Sequence, residues 1–340
     1  MKKRIFSYAT IITIGLVLAA GWILVGAAPS NAADKVITLR YQGKWVGHEK
    51  QNWAAEQLKF ADRVKAATNG SVVIENMDEV VRDNEVLDAV KKGTIDMGNQ
   101  AMHRRGELAL VNFLTLPFVE YEKMPEIYGK LRPTLERYWD KEIGVKQMGY
   151  NFFLPAAIFT KEPATTLEDL KRMKLRIGGS IMVKLFQLAG GNPITMNNAE
   201  VYQAMQRGMI DGGHTAIPAY IGGAWYEICK YIGKWPVGSM GMAVVMNKDS
   251  WNKLGPELQE KVMSAWYETE KAQFAGIQQD LGKLEQVAFS KGAQYANPSK
   301  AEADKLLSFI GPVVEDWKKK AGPDAETVLK AINAVQGTNY

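Results

Sequence analysis

Residues 85–98 read EVLDAVKKGTIDMG, and residues 200–213 read EVYQAMQRGMIDGG. The two stretches share seven identical positions: Glu85/Glu200, Val86/Val201, Ala89/Ala204, Gly93/Gly208, Ile95/Ile210, Asp96/Asp211 and Gly98/Gly213. Each stretch predicts a helix that ends at a glycine in the left-handed conformation, followed by a short strand. A common helix-glycine-strand signal can also recur by chance. We interpret the match as two related α/β lobes.

The ends of the two predicted strands are the first candidates for a binding site. One strand runs through Gln100 towards Met102, and the other runs through His214 and Thr215. In open α/β sheets, ligands bind beyond the carboxyl ends of the strands. If the two lobes face each other, these four side chains lie on opposite walls of a shared cleft.

A further candidate lies in the stretch KLRIGGS, residues 174–180. In a strand, Leu175 and Ile177 point to one face and Arg176 points to the other. One interpretation is a solvated arginine on the wet side of a half-buried strand. The other is a guanidinium at a strand end, where the glycines let a ligand approach the backbone. The neighbouring polar strand ends favour the second interpretation.

The rest of the pattern alternates strands and helices, which favours an α/β fold with mostly parallel sheets. Residues 145–160 predict a strand that crosses from the first lobe to the second, and residues 241–251 predict one that crosses back, so that the pair forms a hinge. Residues 256–286 predict a long helix that packs along both lobes, and residues 299–333 predict further helices. The predicted boundaries are 34–154 and 242–282 for lobe I, and 155–241 and 283–340 for lobe II.

The N-terminus predicts an export signal over residues 1–33. Three basic residues precede an almost wholly apolar run, and small residues near Ala33 predict cleavage. The run is long enough to span a bilayer, so a retained anchor is the alternative. Without the signal, the chain carries 39 basic and 37 acidic residues, since the segment removes three of the 42 basic residues and none of the 37 acidic ones. We expect a periplasmic protein.

The residue inventory argues against several classes of site. No basic run with interleaved aromatic residues remains, which argues against nucleic-acid binding. Cys229, expected in a strand interior, is the only cysteine, so no intrachain disulfide or thiolate cluster is possible. His48, His103 and His214 lack the spacing of zinc ligands, and the turn from His103 to Arg105 is interpreted as solvated. We expect neither a metal nor another cofactor.

Catalytic motifs are also missing from the sequence. It contains no G-x-S-x-G, no H-E-x-x-H and no phosphate-binding loop. A binding protein is therefore favoured, and a periplasmic enzyme is the less favoured alternative.

Three stretches together resemble a known family. They are TTLEDLKRMKLRIGGS (165–180), NPITMNNAEVYQAMQRGMIDGG (192–213), and EVLDAVKKGTIDMGNQAM (85–102) followed by LTLPFVE (114–120). Their order and spacing are similar to those of the substrate-binding proteins of the tripartite ATP-independent periplasmic (TRAP) transporters. The resemblance extends from about Val36 to Trp317, although Arg172 stands where the family usually has a glycine.

The resemblance implies a two-lobed, type II-like periplasmic binding protein. Such a receptor acts as a monomer, closes on a small organic carboxylate and delivers it to a sodium-driven TRAP membrane permease. Arg176 falls on the family arginine that pairs with the ligand carboxylate, and its planar fork suits two parallel hydrogen bonds. Thr215 stands where some relatives have a ligand-contacting asparagine. Asn198, just before the second-lobe helix, either contacts the ligand or caps that helix.

The identity of the ligand stays open at the level of the sequence. Lys161-Glu162 stands where some sialic-acid binders have a second arginine, which disfavours sialic acid. Relatives that bind through a cation use a tryptophan and an acid that are missing here. Lys44 and Trp45 follow the first strand and should overhang the cleft, and an inward Lys44 would favour a dicarboxylate.

Aromatic residues near the predicted cleft could form a wall for a hydrophobic ligand body or could belong to the core. Phe152 and Phe153 must point to opposite faces, so one of the pair should reach the cleft. We select Phe153 and Tyr220 as candidates. A binding protein for an ATP-driven importer or a sensor would have the same lobes and is the alternative function.

Overall fold

The structure is a computed structural model that describes residues 36–43, 52–82 and 84–340. The predicted export signal lies outside these residues. The strands in them are β1 Ile37–Gln42, β2 Val72–Met77, β3 Met97–Ala101, β4 Lys146–Thr160, β5 Leu175–Arg176, β6 Gly212–Ala216, β7 Tyr231–Gly233, β8 Ser239–Met246 and β9 Gln294–Tyr295. The α-helices are α1 Asn52–Leu58, α2 Phe60–Ala67, α3 Val86–Lys91, α4 Met124–Tyr138, α5 Leu167–Arg172, α6 Ser180–Leu188, α7 Asn198–Gln206, α8 Ile217–Gly222, α9 Lys248–Ser290, α10 Lys300–Leu307, α11 Ile310–Ala321 and α12 Ala325–Gln336.

The strands form one continuous sheet in the order β2-β1-β3-β8-β4-β6-β5, with β7 and β9 attached beside β4. β1 runs parallel to β2 and β3, and β5 runs parallel to β6. The two parallel groups are joined through β4 and β8, which run antiparallel to their neighbours. Helices pack on the parallel groups, as an α/β fold requires.

β4 is the crossing strand that the sequence predicts. Its first part, up to Pro155, pairs with β8, and its last part, from Ala156 to Thr160, pairs with β6. The pairing with β8 shifts register twice, between Gln147 and Gly149 and between Asn151 and Phe153. Such irregularities bend a strand locally, so we expect β4 to bend at these two points.

The internal match corresponds to one structural unit that occurs twice. α3 and α7 are followed by Gly93 and Gly208, both left-handed with φ of 72° and 69°. In each copy the aspartate then ties the new strand to its parallel neighbour. The Asp96 carboxylate accepts the backbone N–H of Arg40 at 2.9 Å, and the Asp211 carboxylate accepts that of Lys174 at 2.8 Å. The predicted pair of related α/β units is therefore confirmed.

The long helix α9 is longer than the sequence pattern indicates. It begins at Lys248 and is interrupted at Gly255, whose φ of 68° and ψ of 165° are not helical. The Asp280 carboxylate accepts from Asn52 of α1 at 2.8 Å, and Glu285 pairs with Lys234 at 3.0 Å. The helix therefore contacts elements beside both parallel groups, as predicted.

The C-terminal helices contact elements on both sides of the crossing strand. Glu302 of α10 accepts the Leu167 backbone N–H at the start of α5, at 2.8 Å. By contrast, Asp324, which precedes α12, pairs with Arg137 of α4 at 2.7 Å. The assignment of residues 283–340 to lobe II alone stays a prediction.

The strand position expected for Cys229 is wrong. Cys229 lies between a short 3-10 helix, Trp225–Glu227, and β7, and its backbone N–H donates to the Trp225 carbonyl. It is fully buried, and burial raises the pKa of its thiol to about 12.

In the part of the chain that the structure describes, no helix is long and apolar enough to cross a membrane.

Candidate ligand-binding site

Arg176 lies at the carboxyl end of β5, beside the centre of the second parallel group. Its Nη1 donates to the His214 carbonyl at 3.2 Å, and its Nε and Nη2 donate to the Met196 carbonyl at 3.3 and 3.2 Å. The residue is 9% exposed, so it is not the solvated arginine of the alternative interpretation. These two backbone carbonyls orient the guanidinium.

The chain segment before α7 supplies one of these carbonyls. Ile194 forms a parallel bridge with Arg176, and its backbone exchanges hydrogen bonds with Leu175 and Ile177 at 2.9 and 3.0 Å. β5 is thereby enclosed between β6 and this segment, which fixes the Met196 carbonyl against the guanidinium. Sequence reasoning missed Met196, because a backbone carbonyl leaves no signal in residue type.

The two glycines after β5 have separate roles. A Cβ atom on Gly178 would lie 3.0 Å from Nη1 of Arg176, so the glycine leaves the space that the guanidinium occupies. Gly179 has φ of 83° and precedes α6, a conformation that favours glycine. The stretch KLRIGGS therefore positions a buried cation and then begins a helix.

Strand geometry separates Thr215 from His214. Arg176 pairs in register with Gly213 of β6, so their side chains leave the same face of the sheet. Thr215 is two residues further along β6 and shares that face, whereas His214 points to the opposite face. Both residues are buried, at 2% and 3% exposure. Thr215 is therefore better placed than His214 to share a ligand with Arg176.

His214 is held in the neutral form. Burial, and after it the positive charge of Arg176, together lower the pKa of its imidazole to about 3, while a contact with the Val237 backbone opposes the shift. The neighbouring charge of His103 acts in the same direction as Arg176. Arg176 is consequently the cation that dominates this strand end at neutral pH.

The repeated unit identifies a position equivalent to Arg176 in the first parallel group. Gln42 pairs in register with Gly98 of β3, just as Arg176 pairs with Gly213 of β6. The Gln42 side chain binds the backbone of Val80 and Val81 at 2.8 to 3.0 Å. The polar groups of Gln42 are thus used within the first unit. Of these two equivalent positions, only the one in the second unit, Arg176, carries a cation.

The opposite wall approaches Arg176 at His103. A Cβ atom on Gly179 would lie 3.9 Å from the His103 Cβ, so the 3-10 helix after β3 contacts the start of α6. The interpretation of His103 to Arg105 as a solvated turn is wrong. His103 is partly buried, and Arg105 pairs with Asp88 at 2.9 Å and with Glu107 at 2.6 Å.

Three predicted contact residues have other partners. The Gln100 amide accepts from the Leu87 backbone N–H at 3.0 Å and donates to the Ala101 carbonyl at 2.8 Å. Met102 is fully buried in the main hydrophobic core. Tyr220 stacks on Phe159 at 4.1 Å and donates to the Cys229 carbonyl at 2.8 Å. These side chains stabilise the lobes, which argues against the predicted ligand contacts.

The remaining candidates are only partly described. Lys44 and Trp45 lie outside the described residues, as does His48. For Phe153 and Asn198, the structure describes the backbone alone. Asn197, and not Asn198, is the N-cap of α7, and its backbone N–H donates to Glu200 at 3.3 Å.

Two further observations concern ligand chemistry. Lys161, at the position of the second arginine of some sialic-acid binders, donates to the carbonyls of Met205 and Ile210 at 2.7 and 2.9 Å. Its charge therefore caps the end of α7. Among the residues that the structure describes, no group of three or more histidine, cysteine or acidic side chains could hold a metal ion.

Comparison with known proteins gives the family. The model of DctP, bacterial extracellular solute-binding protein family 7, matches residues 45–320. The chain belongs to this family. The resemblance to the TRAP substrate-binding proteins is thereby confirmed.

Relatives of this DctP-family protein match it over most of their length. A 2,3-diketo-L-gulonate-binding periplasmic protein of Escherichia coli is 27% identical over 347 residues, covering 99% of this chain and all of the relative. The C4-dicarboxylate-binding protein DctP of Rhodobacter capsulatus is 25% identical and covers 81% of this chain and 85% of the relative. A Bordetella pertussis receptor binding pyroglutamic acid has a TM-score of 0.78 at 23% identity, covering 87% of this chain and 99% of its own. The two-lobed fold of this DctP-family protein is therefore shared with solved receptors.

Proposed function

We propose that this protein is an extracytoplasmic solute receptor that binds a small organic carboxylate between its two lobes and delivers it to a TRAP membrane permease. The observation that supports it best is the buried guanidinium of Arg176, oriented at a strand end by two neutral carbonyls. A guanidinium oriented in this way suits a carboxylate, because its planar fork meets the two carboxylate oxygens through charge-assisted hydrogen bonds. The E. coli and R. capsulatus relatives bind 2,3-diketo-L-gulonate and C4-dicarboxylates, which are carboxylates.

The proposed contacts divide into an anchor and a closing set. Arg176 binds the ligand carboxylate through its planar fork, and the Thr215 hydroxyl on the same sheet face binds a second polar group. His103 brings the other wall to the start of α6 and would contact the far end of the ligand. Lys44 and Trp45 stay candidates for the same wall, and Phe153 and Asn198 stay candidates near the hinge and α7.

Closure follows from the difference in ligand affinity between the two lobe arrangements. A ligand held by Arg176 alone stabilises the open and closed forms equally, whereas one that also contacts the His103 wall favours the closed form. We infer that the closed form is the one that docks on the permease. We also propose that the mature receptor is exported to the periplasm, acts as a monomer and carries out no catalysis.

The first experiment is a thermal-shift screen of mono-, di-, keto- and aromatic acids, followed by calorimetric titration of the best acid. We expect Arg176→Ala to weaken its affinity by about 2–5 kcal/mol, because the partner charge is lost inside a closed cleft. The matched control is Arg172→Ala, since the side chain of Arg172 is 75% exposed and paired only with Asp169 in the described residues. Equal affinity of Arg176→Ala and the wild type would remove the anchor from its role.

Turnover separates the receptor from the enzyme alternative. A receptor binds the acid without converting it and returns it unchanged after denaturation. Chemical conversion of the bound acid by the purified protein would instead support a periplasmic enzyme.

A further inference from the structure

A cavity lies between α4, the crossing strand β4 and α9, and no residue of β5 or β6 lines it. It has a volume of about 600 Å³, within the usual range of small-molecule sites. We call it the hinge pocket. It is lined by Pro125, Tyr128 and Arg132 of α4, Tyr150 of β4, and Tyr267, Glu270, Lys271 and Phe274 of α9.

The inner end of the hinge pocket is aromatic. Tyr128 and Tyr150 are 5% and 1% exposed, and their ring centroids are 3.6 Å apart. Tyr267 lies at the mouth and is 42% exposed. Rings at both ends offer stacking surfaces to a flat ligand, because aromatic pairs favour offset or edge contacts.

The charges of the pocket favour an anion. Glu270 is already engaged: one carboxylate oxygen accepts from Arg132 at 2.9 Å, and the other accepts from the Tyr150 backbone N–H at 2.8 Å. Lys271 is exposed beside them and pairs with no carboxylate of the described residues within 4.0 Å. The lining residues thus comprise two cations and one engaged carboxylate, a net positive charge, although Glu136 outside the lining also acts on Arg132.

We propose that the hinge pocket is a second ligand site, separate from the cleft at Arg176, for a planar aromatic carboxylate. The ring lies against Tyr128, Tyr150 and Tyr267. The carboxylate faces Lys271, with the guanidinium of Arg132 beside it.

The position of the pocket couples it to the lobes. Tyr150, whose N–H binds Glu270, lies between the two register shifts of the crossing strand. A ligand that fits the present arrangement of α4, β4 and α9 stabilises that arrangement against others. Where closure of the lobes changes this arrangement, occupancy of the hinge pocket changes the affinity of the cleft, and by linkage the reverse also holds.

The test uses 2-naphthoate as a fluorescent probe and the full-length Arg176→Ala protein, in which the cleft anchor is removed. We expect saturable binding of one probe per chain. Lys271→Glu and Tyr267→Ala, both at exposed positions, should each weaken it by about tenfold or more, the effect of about 1.4 kcal/mol. Neutral 2-naphthylmethanol should bind at least about tenfold more weakly than the carboxylate, by the same conversion.

The matched control is Lys283→Glu, which reverses an exposed charge on the same helix outside the pocket. It should bind the probe like its Arg176→Ala parent. Circular dichroism and melting curves verify that each variant is folded. The proposal is overturned if Arg176→Ala shows no saturable binding, or if the probe binds equally well to both pocket variants. If Arg176→Ala still binds the acid of the screen at the cleft, that result contradicts the role of Arg176 in the proposed function. It does not bear on the hinge pocket, which Lys271→Glu and Tyr267→Ala test separately.

Discussion

Gly178 determines where the guanidinium of Arg176 can lie. The Cβ of an alanine would come within 3.0 Å of Nη1 and 3.5 Å of Cζ, and Gly178 does not need a left-handed backbone. We expect Gly178→Ala to keep the fold, because the flexible end of the arginine can move. The displaced fork should bind the ligand carboxylate about tenfold more weakly, which corresponds to about 1.4 kcal/mol. Calorimetric titration with the best acid of the screen measures this change.

Gly106→Ala is the control for this prediction. A Cβ atom at Gly106 meets no atom within 4 Å, and its φ is not left-handed. The control should bind like the wild type. Undiminished affinity in Gly178→Ala would show that the position of the guanidinium does not control binding.

At the residue scale, the sequence identified candidate side chains for the site but did not show which of them form their hydrogen bonds within the protein. It pointed to Arg176 through its unusual setting between two apolar residues and two glycines. It also suggested Gln100 and Tyr220, since polar and aromatic residues at strand ends have the same appearance whether they face a ligand or their own chain. Only the structure shows that their hydrogen bonds are used within the lobes.

At the element scale, two glycines of α9 differ sharply in their surroundings. Gly282 is exposed, and a Cβ atom there meets nothing within 4 Å. Gly276 is buried, and a Cβ atom would lie 3.1 Å from the Trp53 backbone nitrogen and 3.2 Å from Asn52. Gly276 therefore allows α1 to approach the long helix closely.

We expect alanine at these two positions to change the free energy of unfolding in opposite directions. Gly282→Ala should raise the free energy of unfolding by about 0.5–1 kcal/mol, because alanine restricts the unfolded chain and favours the helix. Gly276→Ala should lower it by about 1–3 kcal/mol, because the backbone of α1 must move away. Chemical denaturation of both variants measures the two values. Stabilisation by both substitutions would contradict the close approach of α1.

The elements themselves were largely predictable, because their signals are local. Helix period, glycine caps and the repeated aspartate predicted both α/β units. The strand pattern of residues 145–160 predicted the crossing strand. The equivalence of Gln42 and Arg176 was not predictable from spacing: Asp96 follows the bonded Arg40 by 56 residues, whereas Asp211 follows Lys174 by 37. The predicted helix start at residue 256 agrees with the break of α9 at Gly255. The helical residues before the break were missed, because the stretch 241–251 was predicted as a strand and α9 begins at Lys248.

At the scale of the whole molecule, the proposed function requires the lobes to move as units about the crossing strand. The two parallel groups of strands are joined by β4 and β8, and they approach each other where His103 meets Gly179. Cys229 is fully buried, and its pKa is raised to about 12, so it should not react with thiol labels. Exposed cysteines introduced on each lobe can therefore report the motion.

We expect spin labels at Glu75→Cys and Arg207→Cys to move closer when a saturating acid is added. Glu75 is exposed on β2 and Arg207 is exposed after α7, so the pair spans the two groups of strands. Pulsed electron spin resonance measures the distance distribution.

The control pair, Glu75→Cys with Lys92→Cys, lies within the first unit and should keep its distribution. Adding Arg176→Ala to the spanning pair should remove the shift, because the ligand no longer has its anchor. An unchanged spanning distance, at an acid concentration where calorimetry shows full occupancy, would mean that binding occurs without closure and that the permease must recognise something other than a closed receptor.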